Sequence, residues 1–146
     1  MLIDAIYDCQ ADKVMFLKGL IRVSKVEGEL SEEEILFLHN VAVGIGVSEK
    51  NIKILETAVG YELDSEIGKK FFELSFDSKK KSIFFLEEAI QLCYIDDVYH
   101  EKEQNEIRVI ANEVGISLDT VIAIEQWGLE GIKWKERGES LLSLEE

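Results

Sequence analysis

Residues 14–48, VMFLKGLIRVSKVEGELSEEEILFLHNVAVGIGVS, and residues 83–117, IFFLEEAIQLCYIDDVYHEKEQNEIRVIANEVGIS, carry one pattern written twice. A shift of 69 positions superimposes them without a gap: Phe16 on Phe85, Leu17 on Leu86, Ile21 on Ile90, Glu32 on Glu101, Glu34 on Glu103, Ala42 on Ala111, Gly46 on Gly115 and Ser48 on Ser117. Beyond the quoted stretches, Glu56 falls on Glu125. Apolar positions between the identities pair as well, among them Val26/Ile95, Leu38/Ile107, Val41/Ile110 and Ile45/Val114. An offset that stays constant and keeps the apolar register indicates a repeated structural unit.

Each unit reads as helix, acidic loop, helix. Val14, Leu17 and Ile21 with Phe16, Leu20 and Val23 make a wide apolar stripe at helical spacing, as do Ile83, Leu86 and Ile90 with Phe85, Ala89 and Leu92. Stripes this broad predict helices buried on more than one side. The second helix of each unit has a narrower stripe, Ile35, Leu38, Ala42 and Ile45 in one and Ile107, Ala111 and Val114 in the other. Gly46 and Gly115 can then end those helices in the left-handed conformation. Ser48 and Ser117 can cap the helices that follow. A short linking helix is expected from Asp64 or Ser65 through Phe72, and the long helix of unit two from Asp77 or Ser78. Strand-type alternation never persists. The expected fold is all-α: seven or eight helices in a single bundle-like domain over 1–146. Its two tandem helix-loop-helix pseudo-repeats are unit one at about 13–58 and unit two at about 78–127. The linking helix falls at about 64–74, and an acidic, fraying tail at 137–146.

Composition sets the outer limits. The chain has 146 residues, no proline, and a formal net charge of −14 from 16 basic and 30 acidic residues. Such a field repels polyanions, which excludes non-specific nucleic-acid binding and suits cations or basic protein partners. The run Lys79, Lys80, Lys81 reads as a solvated helix start rather than a phosphate site. Cys9 and Cys93 lack zinc-type spacing and lie among apolar residues, so both read as buried thiols in a reducing, cytoplasmic setting. The N-terminus, with Asp4 and Asp8 and no basic region, is not a signal peptide, and no apolar run approaches the ~20 residues of a membrane span.

The chemistry-bearing segments are the loops, Val26-Glu27-Gly28-Glu29-Leu30-Ser31-Glu32-Glu33-Glu34 and Ile95-Asp96-Asp97-Val98-Tyr99-His100-Glu101-Lys102-Glu103. Each sets a carboxylate, Glu27 or Asp96, where one helix ends and another, Glu34 or Glu103, in the first turn of the next. A tight reversal can bring the two together, and hard cations such as Ca²⁺ or Mg²⁺ take several such oxygens. Helix capping accounts for part of the same pattern. Ser31 with Glu34 is a capping box, and first-turn carboxylates complement the helix dipole. Capping is the stronger reading in unit one. In unit two, where His100 replaces the serine, the two readings are balanced. The EF-hand fails, because its twelfth position falls on Leu38 or Ile107.

These two loops, with Ile45-Gly46-Val47 and Val114-Gly115-Ile116 after them, resemble the TerB-like family, named for tellurite resistance. Its pattern is approximately Ala-Asp-Gly, four variable residues and Glu, followed by a Leu-Gly-Ile-type helix end. Unit one has Val26-Glu27-Gly28 with Glu34, and unit two Ile95-Asp96-Asp97 with Glu103. Glutamate thus replaces the aspartate in the first, and aspartate the glycine in the second. The resemblance covers residues 13 to about 125. It implies an all-α fold, cation binding through the acidic positions, and a link to stress or tellurite response.

No catalytic constellation accompanies the loops. His39 and His100 are the only histidines, no His-Glu-x-x-His or Gly-x-Ser-x-Gly motif occurs, and there is no P-loop. The expectation is a non-catalytic domain that binds a divalent cation, Ca²⁺ or Mg²⁺ rather than Zn²⁺. Glu27, Glu34, Asp96 and Glu103 are the expected ligands, with Glu29, Asp97 and His100 in support. The rival is a metal-free module whose acidic surface meets a basic protein. A metal-assisted hydrolase is a third reading that needs a pocket. Trp127 and Trp134, seven apart on one helical face, are expected to pack in the core; if exposed, they mark a face for a protein partner or a homodimer.

Overall fold

The computed structural model describes residues 2–95 and 99–145. Among them the chain forms eight α-helices and no strand: α1 Leu2–Ile6, α2 Gln10–Lys25, α3 Glu32–Gly44, α4 Glu49–Ala58, α5 Glu66–Phe71, α6 Lys79–Ile95, α7 Glu101–Glu113 and α8 Leu118–Leu141. The helices begin where a short hydroxyl can take an orphan amide. Ser31, Ser48, Ser65 and Ser117 each accept the backbone N–H of the residue three positions on. Ser78 does the same for Lys81 at the start of α6. The second helix of each unit ends alike. Gly46 and Gly115 have φ of 87° and 80°, and the next N–H reaches back, Val47 to the Ala42 carbonyl at 2.9 Å and Ile116 to that of Ala111 at 2.8 Å. This is the Schellman closure, and its left-handed residue is the one that favours glycine.

The broad-striped helices α2 and α6 lie at the centre. α2 packs on α3, α4, α6 and α7, and α6 packs on α1, α2, α7 and α8. Where they meet, Tyr7, Phe16, Phe76, Phe84 and Phe85 form a continuous aromatic cluster with ring centroids 5.3–6.3 Å apart. Gly19 lets them approach closely: a Cβ there would lie 2.2 Å from the Phe85 ring. A polar clamp ties unit one to unit two. Arg22 of α2 donates from Nε to Glu106 at 2.6 Å, and from a terminal nitrogen to Glu113 and to the Phe72 carbonyl. Glu113 also accepts the Leu74 N–H. Burial works against the Arg22 charge, but its hydrogen bonds to Glu113 and Glu106 outweigh that and hold its pKa above the ordinary arginine value.

Positions 69 apart also hold matching side-chain contacts between the second and third helices of the units. His39 Nδ1 meets Glu56 at 2.9 Å, and a terminal nitrogen of Arg108 meets Glu125 at 2.9 Å. The first pair is open to water; in the second, Glu125 is buried.

Four expectations are corrected here. Cys93 is buried, but Cys9 is exposed, because the chain breaks between α1 and α2 and makes Cys9 the N-cap of α2. Lys79 and Lys80 are exposed, whereas Lys81 folds inward onto Asp12 at 2.6 Å and Asp77 at 2.8 Å, which raises its pKa. Residues 137–141 remain helical: α8 runs to Leu141, since Arg137, Glu139 and Leu141 are good helix formers and no proline intervenes, although Gly138 weakens the run. Trp127 and Trp134 are 46% and 75% exposed. The buried face of α8 carries Val121, Ile124 and Gly128, and Gly128 lies tightly on Tyr94 and Ile90, so the tryptophan face is turned away from the core.

One acid sits badly in this fold. Glu88 is half-buried among Phe16, Leu20 and Phe37, and burial, with Glu87 beside it, raises its pKa. A raised carboxyl pKa favours the folded state at low pH, and this contribution is lost as pH rises through the folded value. Glu88→Gln is therefore expected to raise the melting temperature at neutral pH. The gain should shrink to nothing below the ordinary carboxylate range. A gain independent of pH would show that charge is not the cause.

Candidate functional site

Both inter-helix loops open onto one cleft of about 460 Å³. On the first side α2 ends at Lys25, the chain turns through Gly28, and Ser31 restarts it as α3. This places Glu27, Glu33 and Glu34 on the rim. On the second side His100 is the N-cap of α7, and His100 and Glu103 face the same space. The floor is apolar, with Val23, Leu38, Leu92 and Cys93. Three of the four carboxylates expected as ligands, Glu27, Glu34 and Glu103, thus share one cleft with His100. Asp96 and Asp97 lie outside the described residues. Glu29 points elsewhere and lines a neighbouring groove with Lys25, Tyr61 and Glu62.

Two of these acids have a local task. The Ser31 N–H donates to Glu34 Oε1 at 3.0 Å, and the Glu34 N–H donates to Ser31 Oγ at 3.1 Å, a complete capping box. In unit two only the returning half forms: the His100 N–H donates to Glu103 Oε1 at 3.2 Å, and the imidazole makes no cap bond. Each capping glutamate thereby commits one oxygen to the backbone and keeps a second. Glu27 is exposed and makes no ion pair or hydrogen bond among the described residues. The donor set is hard oxygen with one imidazole, which suits Ca²⁺ or Mg²⁺ better than Zn²⁺. The cleft carboxylates do not converge tightly: among the described residues, the His, Cys, Asp and Glu atoms within 4.8 Å of one another are those of Asp8, Cys9 and Asp12. In that group Asp12 is already neutralised by Lys81.

Sequence reasoning missed Glu33 as a cleft residue. Its signal was Phe37, four positions on and on the same helical face, which also lines the cleft. Asp8, Cys9 and Asp12 were missed because their proximity follows from the break before α2.

Among the described residues, no helix is long and apolar enough to cross a membrane. No family model and no curated protein matches the chain. Its fold is similar to that of the crystal structure of a tellurite resistance protein from Nostoc punctiforme, with a TM-score of 0.62 and 23% sequence identity over 97% of this chain and 89% of that one. At that identity the likeness is one of fold, and the all-α fold implied by the TerB-like resemblance is the fold observed.

Proposed function

We propose that this chain is a non-catalytic, cytoplasmic TerB-like domain of a tellurite or stress response. It binds a divalent cation, Ca²⁺ or Mg²⁺, in the cleft between its acidic loops. The observation that carries this reading is the meeting of Glu27, Glu34, Glu103 and His100, from two loops far apart in sequence, on one cleft. Asp96, the equivalent of Glu27 in the sequence repeat, is the fourth carboxylate of the proposal. Bound cation would draw the side chains inward and offset their mutual repulsion. A non-catalytic role is supported by the engagement of Glu34 and Glu103 with backbone amides, which suits them poorly to proton transfer. The link to tellurite rests on the family resemblance and on the name of the fold neighbour.

Thermal melting of chelated protein with each cation tests the reading. At one hundred times Kd, a ligand specific for the folded state adds about 2.7 kcal/mol, which for a chain of this size is roughly 5–10 °C. Glu27→Gln is the cleanest variant, because Glu27 caps nothing. It should melt like the wild type without cation and lose the cation-dependent rise. Glu34→Gln/Glu103→Gln should lose that rise and also melt slightly lower without cation: a glutamine oxygen keeps each capping bond, but each first helical turn loses a negative charge that complements the helix dipole, about 0.3–1 kcal/mol. No shift with any cation would favour a metal-free module that presents an acidic face to a basic protein, a reading to which the capping bonds also lend support.

A further inference from the structure

α8 extends beyond the bundle. Gly128 is its last buried residue, and every residue from Lys133 to Glu145 is exposed. On this extension Trp127, Trp134 and Leu141 are spaced by seven and are 46%, 75% and 64% exposed. At about 100° per residue, these three with Gly131 and Gly138 fall within an arc of about 80°. Glycine weakens a helix interior. Neither glycine has a reason within the chain, because a Cβ on either would meet nothing within 4 Å. The stripe therefore alternates very large and absent side chains on a face that nothing among the described residues covers.

We propose that this stripe is the contact surface for a second copy of the chain, with the two α8 helices paired antiparallel. An antiparallel pair centred between Ile132 and Lys133 sets Trp134 against Gly131 of the second copy, and Trp127 against its Gly138. Both tryptophans then meet a gap. A parallel pair sets tryptophan on tryptophan and glycine on glycine, crowding one layer and emptying the next. Charge selects the same arrangement. Glu130 and Arg137 border one edge of the stripe and make no ion pair among the described residues. In the antiparallel pair that edge meets itself reversed, so Glu130 faces Arg137 of the second copy and the symmetry axis makes the contact twice. Four tryptophans and two leucines bury on the order of 1,000 Å². That is the small end of specific interfaces, so the dimer forms and dissociates over the micromolar range. The proposal is independent of the cation reading.

Sedimentation equilibrium of the full chain, from low micromolar to submillimolar concentration, tests it. The mass should rise from one chain toward two. Trp134→Ser and, separately, Gly131→Leu should raise the dissociation constant more than about tenfold and leave the helical signal unchanged, because both positions are open in the single chain. Glu130→Arg and Arg137→Glu should each weaken the dimer, and the two together should restore it. A mass of one chain at every concentration overturns the proposal, as does a dimer indifferent to Trp134→Ser and Gly131→Leu. Failure of the double charge swap to restore the dimer overturns the antiparallel register.

Discussion

Phe85→Ala should cost about 3–5 kcal/mol of stability, a large share of the 5–15 kcal/mol expected for a domain of this kind. The Phe85 ring is fully buried, stands edge-on to Phe16 at 6.0 Å, stacks on Phe76 at 5.9 Å and presses on the α2 backbone at Gly19. The same contact decides the sign at Gly19. In an open helix Gly→Ala gains up to about 1 kcal/mol. Here the new Cβ would sit 2.2 Å from a ring held on all sides, and overpacking costs about 1–3 kcal/mol. Gly19→Ala is thus destabilising alone, yet stabilising once Phe85→Ala has removed the ring. Urea unfolding of both single variants and the double variant measures this reversal. Effects that add within about 0.5 kcal/mol would show that the two residues do not meet in the way described.

The second large effect concerns the pair Arg108–Glu125. Glu125 is 7% exposed and, if the guanidinium is removed, keeps uncharged side chains, the Gln104 amide and the Tyr99 hydroxyl, as its partners among the described residues. Arg108→Met should therefore cost about 1–3 kcal/mol, the scale for removing one partner of a buried acceptor, whereas Arg108→Met/Glu125→Leu should recover most of the loss. The equivalent pair of unit one behaves differently. His39 and Glu56 are 41% and 48% exposed in their side chains, so His39→Met should stay within about 0.5 kcal/mol of the wild type. Thermal or urea denaturation of the three variants checks the contrast. A double variant no more stable than Arg108→Met would place the cost in lost packing rather than in the stranded carboxylate.

Much of this fold is legible in the sequence because its signals are local. Apolar spacing marks α2 and α6, and the Gly-x-Ser steps at 46–48 and 115–117 supply both the left-handed residue and the next cap within three positions. The cleft is only half legible. Each loop announces its acids, but their sharing of one space depends on how α2 and α6 cross, which no short window contains. Arg22 gave no signal, as its partners lie 84 and 91 residues away. The tryptophans misled for a geometric reason. Their spacing of seven identifies a shared face, but the face that packs is the one with Val121, Ile124 and Gly128, and spacing alone does not say which of two apolar faces is covered.

The crossing of α2 and α6 makes the two halves of the chain depend on each other. Phe16 and Gly19 come from one unit and Phe85 from the other, so the interior belongs to neither unit separately. A polypeptide holding one unit would expose the face that Phe85 now fills, and could close it only by pairing with a like polypeptide. Cutting the chain between its halves would turn an intramolecular contact into a concentration-dependent association.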